Sequence, residues 1–160
     1  MRLWKTIAIA MSAVWLSVPA AADESNKLTV LTFSKPVQIP GATLQPGRYR
    51  FELADPVESR RVVKVANDDG TKQIAMLLTM QNTLREPQKD PVVLFAETSS
   101  SEPQAMKAFV YPGETIGYEF IYPHDQAVTI AKRSHTTVLA KSGDKIERIN
   151  ENGDSTPLDH

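Results

Sequence analysis

Arg61-Val62-Val63-Lys64-Val65-Ala66, then Asn67-Asp68-Asp69-Gly70, then the return over residues 72–80 decide the fold class of this chain. The first six residues are rich in β-branched side chains, which pack well on a pleated surface and lose rotamer freedom in a helix. Asp69-Gly70 supplies a turn, because glycine accepts the positive φ that a tight hairpin demands. In the returning run Ile74, Met76, Leu78 and Met80 point one way, and Ala75 and Leu77 point the other. Apolar residues on both sides of a period of two predict a central strand with both faces covered.

The same alternation spreads outward. Upstream, Tyr49, Phe51 and Leu53 interleave with Arg48, Arg50 and Glu52, one face for the core and one for water. Leu28-Thr29-Val30-Leu31-Thr32-Phe33 reads as a further strand, and Pro40-Gly41 and Pro46-Gly47 mark turns between them. Downstream, residues 82–91 form a polar, proline-bearing loop. Val92-Val93-Leu94-Phe95-Ala96 is an apolar strand with no clear exposed face, and residues 98–103 form a serine-rich loop. Residues 106–111 and 115–122 make a second hairpin across Pro112-Gly113, with Ile116, Tyr118, Phe120 and Tyr122 on one face and Gly117, Glu119 and Ile121 on the other.

The period then changes. Ala127, Ile130, Ala131 and Ser134 fall at helical spacing, Asp125 can cap the start with its carboxylate, and Lys132 and Arg133 suit the end of the dipole. One short helix over residues 125–134 is predicted, with a last strand over 136–140. Beyond Ser142 the chain is polar and carries Gly143, Gly153 and Pro157, which predicts a flexible tail over 142–160. The expected architecture is mainly antiparallel β, about seven or eight strands in a sandwich or open barrel, with one short C-terminal helix.

The N-terminus sets the expected address. Met1-Arg2-Leu3-Trp4-Lys5 is basic, residues 7–18 are mainly apolar, and Ala20-Ala21-Ala22 follows Pro19. This is the pattern of a secretory signal peptide, removed after residue 22. A single β-rich domain over 23–141 is then delivered to the periplasm or the medium. Loss of Arg2 and Lys5 makes the formal charge of −1 more negative by two, which gives no electrostatic reason to expect nucleic acid as a partner. No later apolar run is long enough to span a membrane. The absence of cysteine excludes thiol nucleophiles, cysteine metal ligation and disulfide staples. Both tryptophans, Trp4 and Trp15, lie in the leader, which counts against a sugar-stacking surface.

Two stretches, Pro36-Val37-Gln38-Ile39-Pro40-Gly41-Ala42-Thr43-Leu44-Gln45-Pro46-Gly47-Arg48-Tyr49 and Met106-Lys107-Ala108-Phe109-Val110-Tyr111-Pro112-Gly113 with Phe120-Ile121-Tyr122-Pro123, resemble a group of small exported bacterial β-domain proteins of unknown function. The likeness covers residues 32–140. It implies an exported β-rich domain and brings no activity, cofactor or site residue with it.

Candidate chemistry is sparse. His124 and His135 bracket the helix and would lie about 16 Å apart along its axis, too far to share a metal. Glu97 with Glu102, and Glu114 with Glu119, sit beside turns where acids are normally solvated, not across a cleft as glycoside hydrolysis requires. Ser99-Ser100-Ser101 lacks a nucleophile elbow, and the seven glycines form no phosphate loop. No metal or cofactor is expected. Tyr111, Tyr118 and Tyr122, with Arg48 and Arg50 nearby, are the candidate binding surface; the competing reading places the tyrosines in the core. The expected function is a non-catalytic exported domain that binds an envelope protein or stabilises an envelope assembly. The alternatives are a carrier with a small ligand between its sheets, or a hydrolase using dispersed residues among Glu97, Glu114, Glu119 and His124.

Overall fold

Gly70 has φ +76°, and the Asp69-Gly70 turn closes where the sequence places it. The Gly70 amide donates to the Asn67 carbonyl at 3.0 Å, and the Asn67 amide donates to the Lys72 carbonyl at 3.0 Å. Asp69 Oδ1 accepts from the Thr71 hydroxyl at 2.6 Å and from the Thr71 amide at 2.9 Å. Those two bonds, the hydroxyl's first, hold the Asp69 carboxyl below its usual range.

The computed structural model describes residues 27–55, 59–83, 86–98 and 101–158. The elements among them are β1 (Thr29–Phe33), β2 (Val37–Ile39), β3 (Ala42–Leu44), β4 (Gly47–Asp55), β5 (Ser59–Asn67), β6 (Gln73–Thr83), β7 (Val92–Ala96), β8 (Gln104–Val110), β9 (Ile116–Pro123), α1 (His124–Ser134), β10 (Val138–Ser142), β11 (Lys145–Ile149) and β12 (Ser155–Pro157). The expected leader and Ser99-Ser100 lie outside the described residues.

Among the described residues the chain is mainly β with one helix, as expected, but there are twelve strands instead of seven or eight. The strands missing from the sequence reading are short or polar. β2 and β3, three residues each, flank the Pro40-Gly41 turn. β11 and β12 occupy the stretch expected to be a flexible tail. That stretch is ordered because Ile149 is fully buried and pairs with Val138 of β10, giving a polar segment one apolar anchor.

The sheet is also mixed where an antiparallel one was expected. It runs β1-β4-β5-β6-β9-β10-β11-β12, with β8 beside β9 and β2 and β7 beside β8, and it does not close on itself. β2 runs parallel to β8, and β10 runs parallel to β9 in the register Leu139 to Ile121 and Ala140 to Tyr122. Parallel neighbours need a crossover, and α1 supplies it between β9 and β10. Its buried stripe is Ala127, Ile130 and Ala131, small enough for a close approach to the sheet. The N-cap is Pro123 with no side-chain capping bond, so Asp125 sits inside the first turn instead of capping it. His135 ends the helix in the left-handed region.

One core joins all parts. Leu31, Phe51, Val63, Val65 and Leu77 from β1, β4, β5 and β6 pack into the same cluster as Ile39, Met106, Phe109, Phe120, Ile130 and Val138. Arg133 clamps the end of α1 to this frame, donating to Gln38 Oε1 at 2.5 Å, the Pro103 carbonyl at 2.9 Å and Glu102 Oε2 at 2.7 Å.

The β5–β6 turn is the most exposed test of this topology. A Cβ at residue 70 would meet only the flexible end of Arg50, at 2.9 Å, so the backbone conformation sets the cost. Gly70→Val is expected to lower unfolding stability by about 1–3 kcal/mol. An unchanged urea midpoint would contradict the turn.

Candidate functional site

The five residues read as a binding surface divide between the two faces of the sheet. Tyr111, Tyr118 and Tyr122 point inward and are buried. Tyr111 stacks edge-on against Phe109 and Tyr118, with ring centroids 4.5 and 5.5 Å apart. Tyr122 donates to the Met106 carbonyl at 2.7 Å, with the Gln38 carbonyl at 3.1 Å, and so ties β9 to β8 and β2. Burial pushes both the Tyr111 and Tyr122 phenols up. The Tyr111 hydroxyl has no hydrogen-bond partner among the described residues. Arg48 and Arg50 occupy the opposite side of β4 from Tyr49, Phe51 and Leu53, and each is already engaged. Arg48 pairs with Asp68 at 3.4 Å, and Arg50 donates to the Asp69 carbonyl at 3.4 Å. The tyrosines are core, because alternation on β9 aims Tyr118, Phe120 and Tyr122 at the same interior.

The scattered acids and histidines are placed singly. Glu114 pairs with Lys27, and Glu102 with Arg133. His124 Nδ1 lies 2.5 Å from Glu147 Oε1, and Ser155 donates to Glu147 Oε2. The Ser155 hydroxyl, and after it the His124 ring, hold the Glu147 carboxyl below its usual range. In this order the carboxylate stands between serine and imidazole. The imidazole therefore does not reach the Ser155 hydroxyl, and the trio fastens the β11–β12 hairpin to the head of α1. Among the described residues no group of three or more His, Asp or Glu side chains could hold a metal. An open depression lies at the loop before β7, lined by Glu86, Pro87, Gln88 and Thr115. Among the described residues no helix is long and apolar enough to cross a membrane.

The feature that stands out was read in the sequence as buried. On β6, Ile74 is 36 % exposed, Met76 49 % and Leu78 41 %. They share one side of the strand, opposite Leu77 and Thr79, which are buried. β6 is central between β5 and β9, as expected, yet its outer face is only partly covered. The reason is the supply of covering elements: among the described residues the helix lies against β9, β10, β11 and β7, and Ile74, Met76 and Leu78 of β6 keep much of their surface in water. The side chains beside the stripe include Val62, opposite Leu78, and Lys64, opposite Met76. Lys64 is in turn paired with Glu52. At the far end a cross-strand row runs Met80, Glu119, Ala108, Leu94 over β6, β9, β8 and β7, and Leu94 is 39 % exposed. Glu119 is buried within this row. Burial raises its carboxyl, against the pull of the Lys107 ammonium and the Arg148 guanidinium.

The chain matches no protein-family model, no curated protein and no solved structure.

Two measurements check this assignment of roles. Tyr122→Phe is expected to cost about 1–3 kcal/mol, because it strips a buried donor from carbonyl acceptors, whereas Tyr111→Phe removes an unpartnered hydroxyl and should be neutral or stabilising. Equal losses in urea unfolding would contradict the assignment. For Glu119 the sign follows from linkage. A carboxyl raised in the folded state stabilises the fold when protonated, and that contribution is full below the unfolded value and lost as pH rises through the folded one. Glu119→Gln should therefore melt above the parent at pH 7, with the gap closing toward pH 4. A gap independent of pH would contradict it.

Proposed function

We propose that the protein is an exported, non-catalytic β-domain of the bacterial cell envelope that docks, through the outer face of β6, against an apolar protein surface. The observation that carries this reading is the run of Ile74, Met76 and Leu78 on one uncovered strand face. Contiguous exposed apolar side chains rimmed by polar groups mark interaction surfaces, whereas isolated ones do not. The charges beside the stripe select the class of partner. Arg48 is paired with Asp68 and Lys64 with Glu52, and Arg50 is tied to the Asp69 carbonyl. The flanking cations are thus neutralised or held at home, which fits a neutral apolar protein face better than an anionic lipid surface or a nucleic acid.

Export rests on the basic, apolar and small-residue pattern of residues 1–22. The resemblance of residues 32–140 to small exported β-domains accords with it. In the same reading the unclosed sheet folds over its core as a sandwich, with β6 passing from one layer to the other.

A photo-crosslinking side chain at position 76, carried by the protein in its envelope, is expected to give one saturable protein adduct. Unlabelled parent protein should compete it away, while the Met76→Glu, Leu78→Glu variant should not. Absence of an adduct, transfer of label to phospholipid alone, or equal competition by the double variant would overturn the docking assignment. Turnover in a hydrolase panel, abolished by Glu114→Ala, Glu119→Ala or His124→Ala, would overturn its non-catalytic part.

A further inference from the structure

A sheet that does not close has edges, and an edge strand invites pairing unless something blunts it. Among the described residues β1, β3, β7 and β12 each pair with one neighbour only. Three of these are protected in ordinary ways. β3 and β12 are three residues long, and β12 ends on Pro157. On β1 the core-facing Thr29, Leu31 and Phe33 are all buried. β7 is five residues long and ends on no proline; its one irregularity is a register shift against β8 between Leu94 and Phe95, and α1 approaches it from one side. Val92-Val93-Leu94-Phe95-Ala96 contains no charge, no polar side chain and no proline. Val93 and Phe95 pack against the core yet stay partly exposed, and Leu94 is 39 % exposed on the other side. The backbone edge and the side chains on both faces are therefore incompletely covered at one strand.

We propose that β7 pairs antiparallel with β7 of a second copy of the chain, about a two-fold axis through Leu94. The strand is self-complementary about that residue, which is its midpoint. Antiparallel pairing sets Val92 against Ala96, Val93 against Phe95, and Leu94 against Leu94. The pairs of Val93 with Phe95 are aromatic against β-branched, a favourable cross-strand combination, and they occur twice on the core side, where both residues are now part-bare. On the outer side the Leu94 pair carries the row Met80, Glu119, Ala108, Leu94 across the axis into the second copy. No like charges oppose one another within the five residues. The two-fold consumes both edges, so the assembly stops at two, as an isologous contact must. An interface this small gives a concentration-dependent dimer. The inference stands on β7 and is independent of the β6 reading; either can fail alone.

Sedimentation equilibrium of the purified protein, from low to several hundred micromolar, is expected to show reversible dimerisation. Leu94→Lys, which places two ammonium groups together at the axis, should leave a folded monomer at every concentration, while Met76→Lys on β6 should dimerise as the parent does. The chain has no cysteine, so Leu94→Cys should form a disulfide-linked dimer on mild oxidation and Met76→Cys should not. A parent that stays monomeric throughout, open assemblies larger than two, a Leu94→Lys protein that still dimerises, or a Leu94→Cys protein that fails to cross-link would overturn the proposal.

Discussion

Occupation of β9 on both faces and both edges is the constraint on which the rest of this structure depends. β6 and β8 run antiparallel to its first part, and β10 runs parallel to its last residues. Every residue from Gly117 to Tyr122 is buried. Tyr118, Phe120 and Tyr122 fill the interior, and the Tyr122 hydroxyl reaches both β8 and β2. A strand so enclosed forces two consequences. The chain must leave it through a crossover to supply a parallel neighbour, which gives α1 its place. The sheet must also branch, because three strands share one template, and a branched sheet keeps open edges.

One helix cannot cover everything such a sheet presents. The buried stripe of α1 is spent against the part of the sheet formed by β9, β10, β11 and β7. β6 therefore keeps an apolar outer face, and β7 keeps an apolar edge. These two places are where the physical argument for interaction lies: water is left against Ile74, Met76, Leu78 and Leu94, and covering them would be favourable. The ionisable groups give the opposite impression. Glu147 is shared between Ser155 and His124, Glu114 is paired with Lys27, and Arg133 spans Gln38, Glu102 and Pro103. Each fastens one element to another.

Much of the fold was legible because its longer strands carry their own period. Val92–Ala96 begins and ends as its composition suggests, and the Asp69-Gly70 turn is set by local chemistry alone. β2, β3 and β12 were invisible because three residues are too few to show an alternation, and β11 because Ile146 and Ile149 are its only apolar residues. The parallel pairings were invisible because they depend on contacts distant in sequence. The burial of Tyr111, Tyr118 and Tyr122 was not legible for a related reason. Tyrosines on a strand and methionines on a strand look alike in a pattern of period two; which side is covered depends on where the helix goes. Alternation identified Ile74, Met76, Leu78 and Met80 as one face but could not say that nothing would cover it.

Methionine oxidation tests that last point most directly. Brief peroxide treatment of the native protein, followed by peptide mass spectrometry, compares Met76, which is 49 % exposed, with Met106, which is fully buried. The account predicts rapid oxidation of Met76 while Met106 stays reduced until the protein unfolds. Protection of Met76 equal to that of Met106 in the isolated chain would mean that the β6 face is covered, and would contradict it.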